Sequence, residues 1–178
     1  MFKHFVVILF VLSSLVGCSS KPIVLDYSPS STMTVDGNFK VGDFSYLPAE
    51  NDHAIKPNQI KNTALGSILF EKNIDKYFED ALFTEARFVG VDMKKNENVV
   101  SGEIKEFLID DIGFSVDWRL DVNYVVQKQD GLGQCYNKSH LVTKSTSKFA
   151  NAFGTIREII KLNIEQLFAD PEFVKCIR

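Results

Sequence analysis

The clearest pattern in the chain lies between Phe114 and Gln127. Phe114, Val116, Trp118, Leu120, Val122, Tyr124 and Val126 take every even position. Ser115, Asp117, Arg119, Asp121, Asn123, Val125 and Gln127 lie between them. A period of two sends alternate side chains to opposite faces, so this segment predicts a long strand with one dry and one wet face. At about 3.4 Å per residue it would run roughly 44 Å, long enough to need a bend or bulge. Val99–Ile109, interrupted by Gly102, predicts the strand before it, with turn chemistry in Asp110-Asp111-Ile112-Gly113 between the two. After a hairpin loop over Lys128–Gln134, Tyr136–Lys148 predicts a third strand, rich in Ser, Thr and Lys. A polar strand of that kind suits a sheet edge, where lysine discourages pairing with another chain.

Helical spacing flanks these strands. Leu65, Ile68, Leu69, Ile74, Tyr77, Phe78, Ala81 and Leu82 predict an amphipathic helix over residues 65–83. Ile156, Ile159, Ile160, Ile164, Leu167 and Phe168 predict a second, stopped by Asp170-Pro171 and followed by a short turn over Glu172–Ile177. Thr155 and Glu158 have capping-box spacing, although Ala150–Phe153 offers an earlier turn. Phe39–Tyr46 predicts a first strand with a break or bulge at Gly42, and Pro48–Asn62 a polar loop. The order β-α-β-β-β-α implies an α+β fold, an antiparallel sheet of three to four strands with two helices packed on one face. This single domain is expected to occupy residues 39–178.

The start of the chain has a different character. Lys3 and His4 precede an unbroken apolar run, Phe5–Leu12, and Leu15-Val16-Gly17-Cys18 follows two serines. The run is too short to cross a bilayer, which needs roughly 20 residues, and has the proportions of a secretory signal. Small Gly17 just before Cys18, with Leu15 three residues before it, resembles the bacterial lipoprotein lipobox. The resemblance implies that residues 1–17 are a signal peptide and that Cys18 becomes the lipidated first residue of the mature chain. Its covalent diacylglycerol and palmitate-type acyl chains are the only non-protein group expected, and no cofactor or metal is. Two or more chains hold a protein firmly on a membrane, where one binds only marginally. Ser19 favours the outer membrane, since an Asp there resembles an inner-membrane retention signal in enteric-type bacteria. Residues 18–38, rich in Ser, Pro and Asp without a sustained period, read as a flexible tether, with a root-mean-square reach of roughly 22–27 Å. The apolar island Ile23-Val24-Leu25 within it would be an edge strand, a docking piece or simply tether.

Two cysteines remain, Cys135 and Cys176. An oxidising periplasm favours a bridge between them, the alternative being two separate thiols. No C-x-x-C is present, which argues against a thiol-redox role. Candidate chemistry is otherwise thin. Beyond the leader there are only His53 and His140, and no H-E-x-x-H, G-x-S-x-G or Walker pattern occurs. Cys135 with His140 would make a nucleophile only if the thiol were free, and Cys135, His140 and Cys176 match no zinc-ligand spacing. Asp117 and Asp121 share a wet face with Arg119, which reads as cross-strand charge pairing. The chain is therefore not expected to be an enzyme. A net charge of −3 without a basic block argues against nucleic acid as a partner.

The layout, a lipobox, a short tether, then strand, helix, three strands and helix, resembles the YajG-type family of bacterial lipoproteins. ILFEKNIDKYFEDALFTEARFVG (Ile68–Gly90) and FGTIREIIKLNIEQLFADPEFVKCI (Phe153–Ile177) carry the likeness. The resemblance implies a small lipoprotein facing the periplasm. Two functions fit. One is a structural or assembly component that binds another envelope protein, through a surface carrying Asp117, Arg119 and Asp121 on the long strand and Lys138, His140 and Lys144 beside them. The other is an auxiliary lipoprotein of outer-membrane lipid or lipopolysaccharide transport, its interior holding an acyl chain among the 15 phenylalanines.

Overall fold

The computed structural model describes residues 22–63, 68–95, 97–129 and 133–178, so the signal peptide and Cys18 lie outside the described residues. The fold is mixed α+β, with a six-stranded, mostly antiparallel sheet and four helices. In chain order these are β1 (Lys40–Tyr46), α1 (Leu47–Asn51), β2 (Gln59–Asn62), β3 (Ile68–Leu69), α2 (Ile74–Phe88), β4 (Asn98–Asp110), β5 (Ser115–Lys128), β6 (Gln134–Ser147), α3 (Ala152–Ala169) and α4 (Pro171–Ile177). The three long strands form the expected meander, with β5 between β4 and β6. β6 is the edge that its Ser, Thr and Lys content predicts.

The antiparallel expectation fails on the far side of β4. β1 pairs in parallel with its first half, Lys40 opposite Val99 and Tyr46 opposite Ile104. β2 pairs in parallel with its second half, Lys61 opposite Leu108. Two short strands thus share one edge of a long one, and β3 adds to β2 antiparallel. The parallel pairing follows from connectivity, because the chain returns from β1 and β2 to β4 by way of α2, a crossover rather than a hairpin. The register shift between Val41 and Phe44 falls where Gly42 predicted a bulge. Gly102 is required at the crossing of three strands, since a Cβ there would lie 2.1 Å from the Asn123 carbonyl oxygen and 2.9 Å from the Phe44 ring.

The first helix begins nine residues later than its apolar spacing suggested. Ile68 and Leu69 are β3, paired with Ile60 and Gln59. Helical structure starts after Asn73, the extended N-cap residue, and runs on to Phe88. Gly90, at φ 99°, then closes the turn, with the Val91 N–H donating to the Ala86 carbonyl. The supposed loop over residues 48–62 contains both α1 and β2. At the other end, α3 starts at Ala152 rather than at a Thr155 capping box, because the Asn151 side chain accepts from the Gly154 N–H. Asp170 caps α4 in the same way, accepting from the Glu172 N–H ahead of Pro171.

The largest departure concerns residues 22–38, expected as free tether. They lie against the body as a strap. Ile23 bridges Phe70 in parallel, its N–H donating to the Leu69 carbonyl and its carbonyl accepting from the Glu71 N–H. The Tyr27 hydroxyl and the Ser30 and Ser31 N–H groups all donate to the Glu85 carboxylate on α2, at 2.7, 3.1 and 3.3 Å. The Val35 N–H donates to Val89, and the Asn38 N–H to Ile177. Exposure alternates along residues 22–35, with odd positions turned inward. A run that gains this many partners over a buried carboxylate does not remain a random coil.

The core lies between the sheet and the helices. Leu120, Val122, Tyr124 and Val126 from β5 meet Ile156, Ile159, Ile160 and Ile164 from α3, all with at most 1 % exposure. Full burial of each such side chain is worth about 1.5–3 kcal/mol. Among the described residues seven phenylalanines are buried, and several pack ring to ring, Phe44 on Phe78 at 5.3 Å and Phe39 on Phe173 at 5.9 Å. Tyr124 and Asn163 supply the polar pin. The Tyr124 hydroxyl donates to Asn163 Oδ1 at 2.7 Å, and Asn163 Nδ2 donates to the carbonyls of Leu120 and His140.

Candidate binding surface

Cross-strand register decides which of the candidate residues can act together. In β5 the even residues face the helices. Val122 lies opposite His140, Trp118 opposite Lys144 and Tyr124 opposite Lys138, so Lys138, His140 and Lys144 share the helix side. Asp117, Arg119 and Asp121 face the other way, opposite Ser145, Thr143 and Leu141. The six residues expected to form one surface are divided between two. β6 is polar on its inward face because it projects past the helices as an edge, so only Tyr136 and Val142 on that side are fully buried.

On the helix side each of the three residues is engaged by α3 or its end. Lys144 forms an ion pair with Glu158. Lys138 pairs with Asp170 at 3.2 Å and with Glu172 at 2.9 Å. His140 Nε2 lies 2.7 Å from the Tyr136 hydroxyl, which donates to Asp170 Oδ2 at 2.9 Å. That hydroxyl has one proton, so with Asp170 as acceptor it receives from a protonated His140 Nε2. Burial holds the His140 pKa below its ordinary value, against the pull of Asp170. Burial works to raise the pKa of Asp170, but the Glu172 N–H, the Tyr136 hydroxyl and Lys138 outweigh it and leave the carboxyl below its ordinary range. This is a relay of polar contacts that fastens the edge strand to α3 and α4.

The open face of the sheet carries a second set of charges. Arg119 Nε is 3.1 Å from Glu106, and Lys105 is 3.4 Å from Asp121. Lys105 also donates to Ser139, which donates to Asn123. Leu141 stands among these polar groups, 45 % exposed. Asp121 and Arg119 therefore do form the cross-strand pairs that alternation predicted, with Lys105 and Glu106 of β4 as partners. Those two partners were not singled out from the sequence. The β4 bulge between Ile104 and Glu106 brings both to the open side, and bulges leave little trace in an apolar pattern.

Cys135 and Cys176 form a disulfide that joins the start of β6 to α4, with Cα atoms 5.8 Å apart. Cys135 is thus no free nucleophile beside His140. Among the described residues no group of three or more His, Cys, Asp or Glu is placed to hold a metal ion, and no helix is long and apolar enough to cross a membrane. His53 sits exposed in the loop after α1.

The arrangement defines a class by shape: a twisted sheet covered by helices on one face, with charged rungs on the other. No family model matches this sequence, and a search of curated proteins finds no match. Among solved structures the fold is similar to that of XCC0632 from Xanthomonas campestris, described as a DUF330 protein. The TM-score is 0.66 at 10% identity, over 87% of this chain and 96% of that one. Weaker similarities reach the hypothetical protein CT253 from Chlamydia trachomatis (TM-score 0.44, 13% identity, 77% of this chain and 94% of that one). Another is a minor lipoprotein from Acinetobacter baumannii (TM-score 0.40, 12% identity, 75% and 93%). At such identities the likeness to XCC0632 is one of fold.

Proposed function

We propose that the chain is a lipid-anchored, non-catalytic component of the bacterial cell envelope, held at Cys18 to the outer membrane and facing the periplasm, where it binds another envelope protein. What supports this reading is the juxtaposition of a lipidation sequence, Leu15–Cys18, with a body whose first sheet contact is Ile23, five residues on. The partner surface in this reading is the open face of the sheet and the outer edge of β6. Among the described residues no strand pairs with that edge, so its backbone groups are available for strand addition. Charge complementarity on the open face, through Arg119, Glu106, Lys105 and Asp121, would fix the partner's register and speed encounter more than it would add affinity. The acyl-chain alternative is less favoured, because the phenylalanines that would line such a cavity pack ring against ring.

Two measurements test the reading. Cys18→Ser should leave an unprocessed precursor that takes up no labelled palmitate, and normal labelling of that variant would end the anchoring half. A photo-crosslinking residue at Asn123 or Thr143 should capture a discrete envelope protein in intact cells. The same residue at Arg87 on α2 should not. Equal capture from α2, or none from the open face, would remove the partner surface from β5 and β6.

A further inference from the structure

One end of the sheet is apolar in a way that the core does not explain. Ile112 and Phe114 sit in the turn between β4 and β5, 72% and 104% exposed. Phe149 sits in the turn after β6, 99% exposed. The two turns are neighbours, since Ser115 pairs with Ser147 and Lys148 Nζ donates to the Asp111 carbonyl at 3.0 Å. Three large apolar side chains therefore project together from adjacent loop tips, a convex feature rather than a groove. Of the two carboxylates beside them, Asp111 is buried, and Asp110 is held by local hydrogen bonds, accepting from the Thr63 hydroxyl and from the Ile112 N–H.

The same end is where the chain comes in. Ile23 pairs with Phe70 in parallel, so Pro22 precedes it in the direction of Leu69 and Ile68. β3 is antiparallel to β2, and the Asn62 end of β2 lies beside Ile109 of β4, next to the turn that carries Ile112 and Phe114. The step from Ile23 back to Pro22 therefore points toward the exposed tips. Cys18 is five residues from Ile23, and five residues span at most about 18 Å. Whatever is attached to Cys18 is held within that distance of the strap's first contact.

Resting on the anchoring reading above, we propose that Ile112, Phe114 and Phe149 are a membrane-contacting tip, seated in the lipid surface that holds Cys18. Apolar contact drives the insertion, so it is insensitive to headgroup charge, and the anchor supplies the local concentration that three side chains alone would lack. The body then stands end-on, with the sheet axis directed away from the bilayer and both the open face and the β6 edge free for a protein partner.

The test uses full-length lipidated protein in phosphatidylcholine vesicles. An environment-sensitive fluorophore is placed at Phe114→Cys, at Phe149→Cys or, as control, at Lys175→Cys on α4. The tip labels should blue-shift and be quenched several-fold by shallow spin-labelled lipid, with the same result when phosphatidylglycerol is added. The α4 label should stay in water. Tip labels as exposed and unquenched as the α4 label, in protein shown by mass to carry its lipid, would overturn the proposal. So would a shift that needs no lipid and grows with protein concentration, which would mark a contact between copies of the chain. A shift that appears only when envelope proteins are present would overturn it as well. Because lipid on Cys18 is checked by mass first, failure of the anchor and failure of the tip are told apart. The chain expressed from Ser19, without leader or lipid, labelled at Phe114→Cys and titrated with the same vesicles, reads the tip alone. It should respond at high lipid and lose about tenfold in partitioning when Phe149→Ser is added.

Discussion

The two ends of the sheet are built to opposite plans. At one end the chain is sewn shut. The disulfide joins β6 to α4, Lys128 Nζ donates to the Cys176 carbonyl, and Asn98 Nδ2 donates to the carbonyls of Asn38 and Ile177. Strand starts, a strand end, the strap and α4 all meet there. At the other end the β4–β5 and β6–α3 turns hold together through Lys148, and their apolar side chains point outward. The difference teaches that exposure here is not a general looseness of the molecule. Phe83 and Phe88 on α2 are partly exposed as well, but the two most exposed phenylalanines among the described residues, Phe114 and Phe149, both stand at the open end.

That contrast can be broken most forcefully at the closed end. Replacing Cys135 and Cys176 together by Ser removes a loop constraint of 41 residues, which on the chain-entropy model costs roughly 4 kcal/mol. Urea unfolding should register most of that loss, and an unchanged midpoint would mean that the closed end is held by its hydrogen bonds alone. Next in size is Glu85→Ala, between the ends. It leaves the Tyr27 hydroxyl and two strap N–H groups without their acceptor, at about 3 kcal/mol for buried donors of this kind. Amide exchange should accelerate over residues 23–35 more than in β5, and uniform acceleration would show that the strap has no separate stability.

A smaller effect is expected from pH. Burial depresses the His140 pKa in the folded state, so the fold prefers the neutral ring while the unfolded chain takes up a proton more readily. The stability that His140 contributes is complete above about pH 6.5 and declines as pH falls from there through the lower folded value. His140→Gln should flatten that part of the pH–stability curve, and an identical slope in the variant would assign it to another group. Asp170 acts in a lower window, its contribution present above about pH 4 and lost as pH falls through its depressed folded value. The smallest change is at the open end. Phe114→Ser with Phe149→Ser should alter unfolding free energy by no more than about 0.5 kcal/mol, as for other exposed positions. A larger loss would show that the tips support the fold and would weaken the contrast between the ends.

The sequence made the meander legible because β5 is buried on one face and wet on the other along its whole length. Its pairing with β4 and β6 needed only short turns. The bulge at Gly42 could be read from one local residue, and the Cys135–Cys176 bridge from there being only two cysteines to pair beyond Cys18. Parallel pairing could not, since β1 and β2 owe their direction to where the crossover through α2 returns them. β2 and β3 are four and two residues long, too short to display any period. The strap did leave a trace. Ile23, Leu25, Tyr27, Met33 and Val35 all take odd positions, but Pro29 and Ser31 interrupt the apolar series where the inward partner is the Glu85 carboxylate. The binding face was misread for a reason of parity. Tyr136 and Val142 share phase with Lys138, His140 and Lys144, and those two buried residues mark that phase as the helix side.

The meeting of Asn38 with Ile177 also sets an order of assembly. The strap's exit, the Phe39–Phe173 ring contact and the partner of Cys135 all wait for α4, the element of this fold that is made last. A chain emerging amino end first can form the β4–β5 hairpin early, from neighbours in sequence, but the fold cannot close until α4 has emerged. Loss of α4 would therefore leave the molecule with its hairpins made and its seam open.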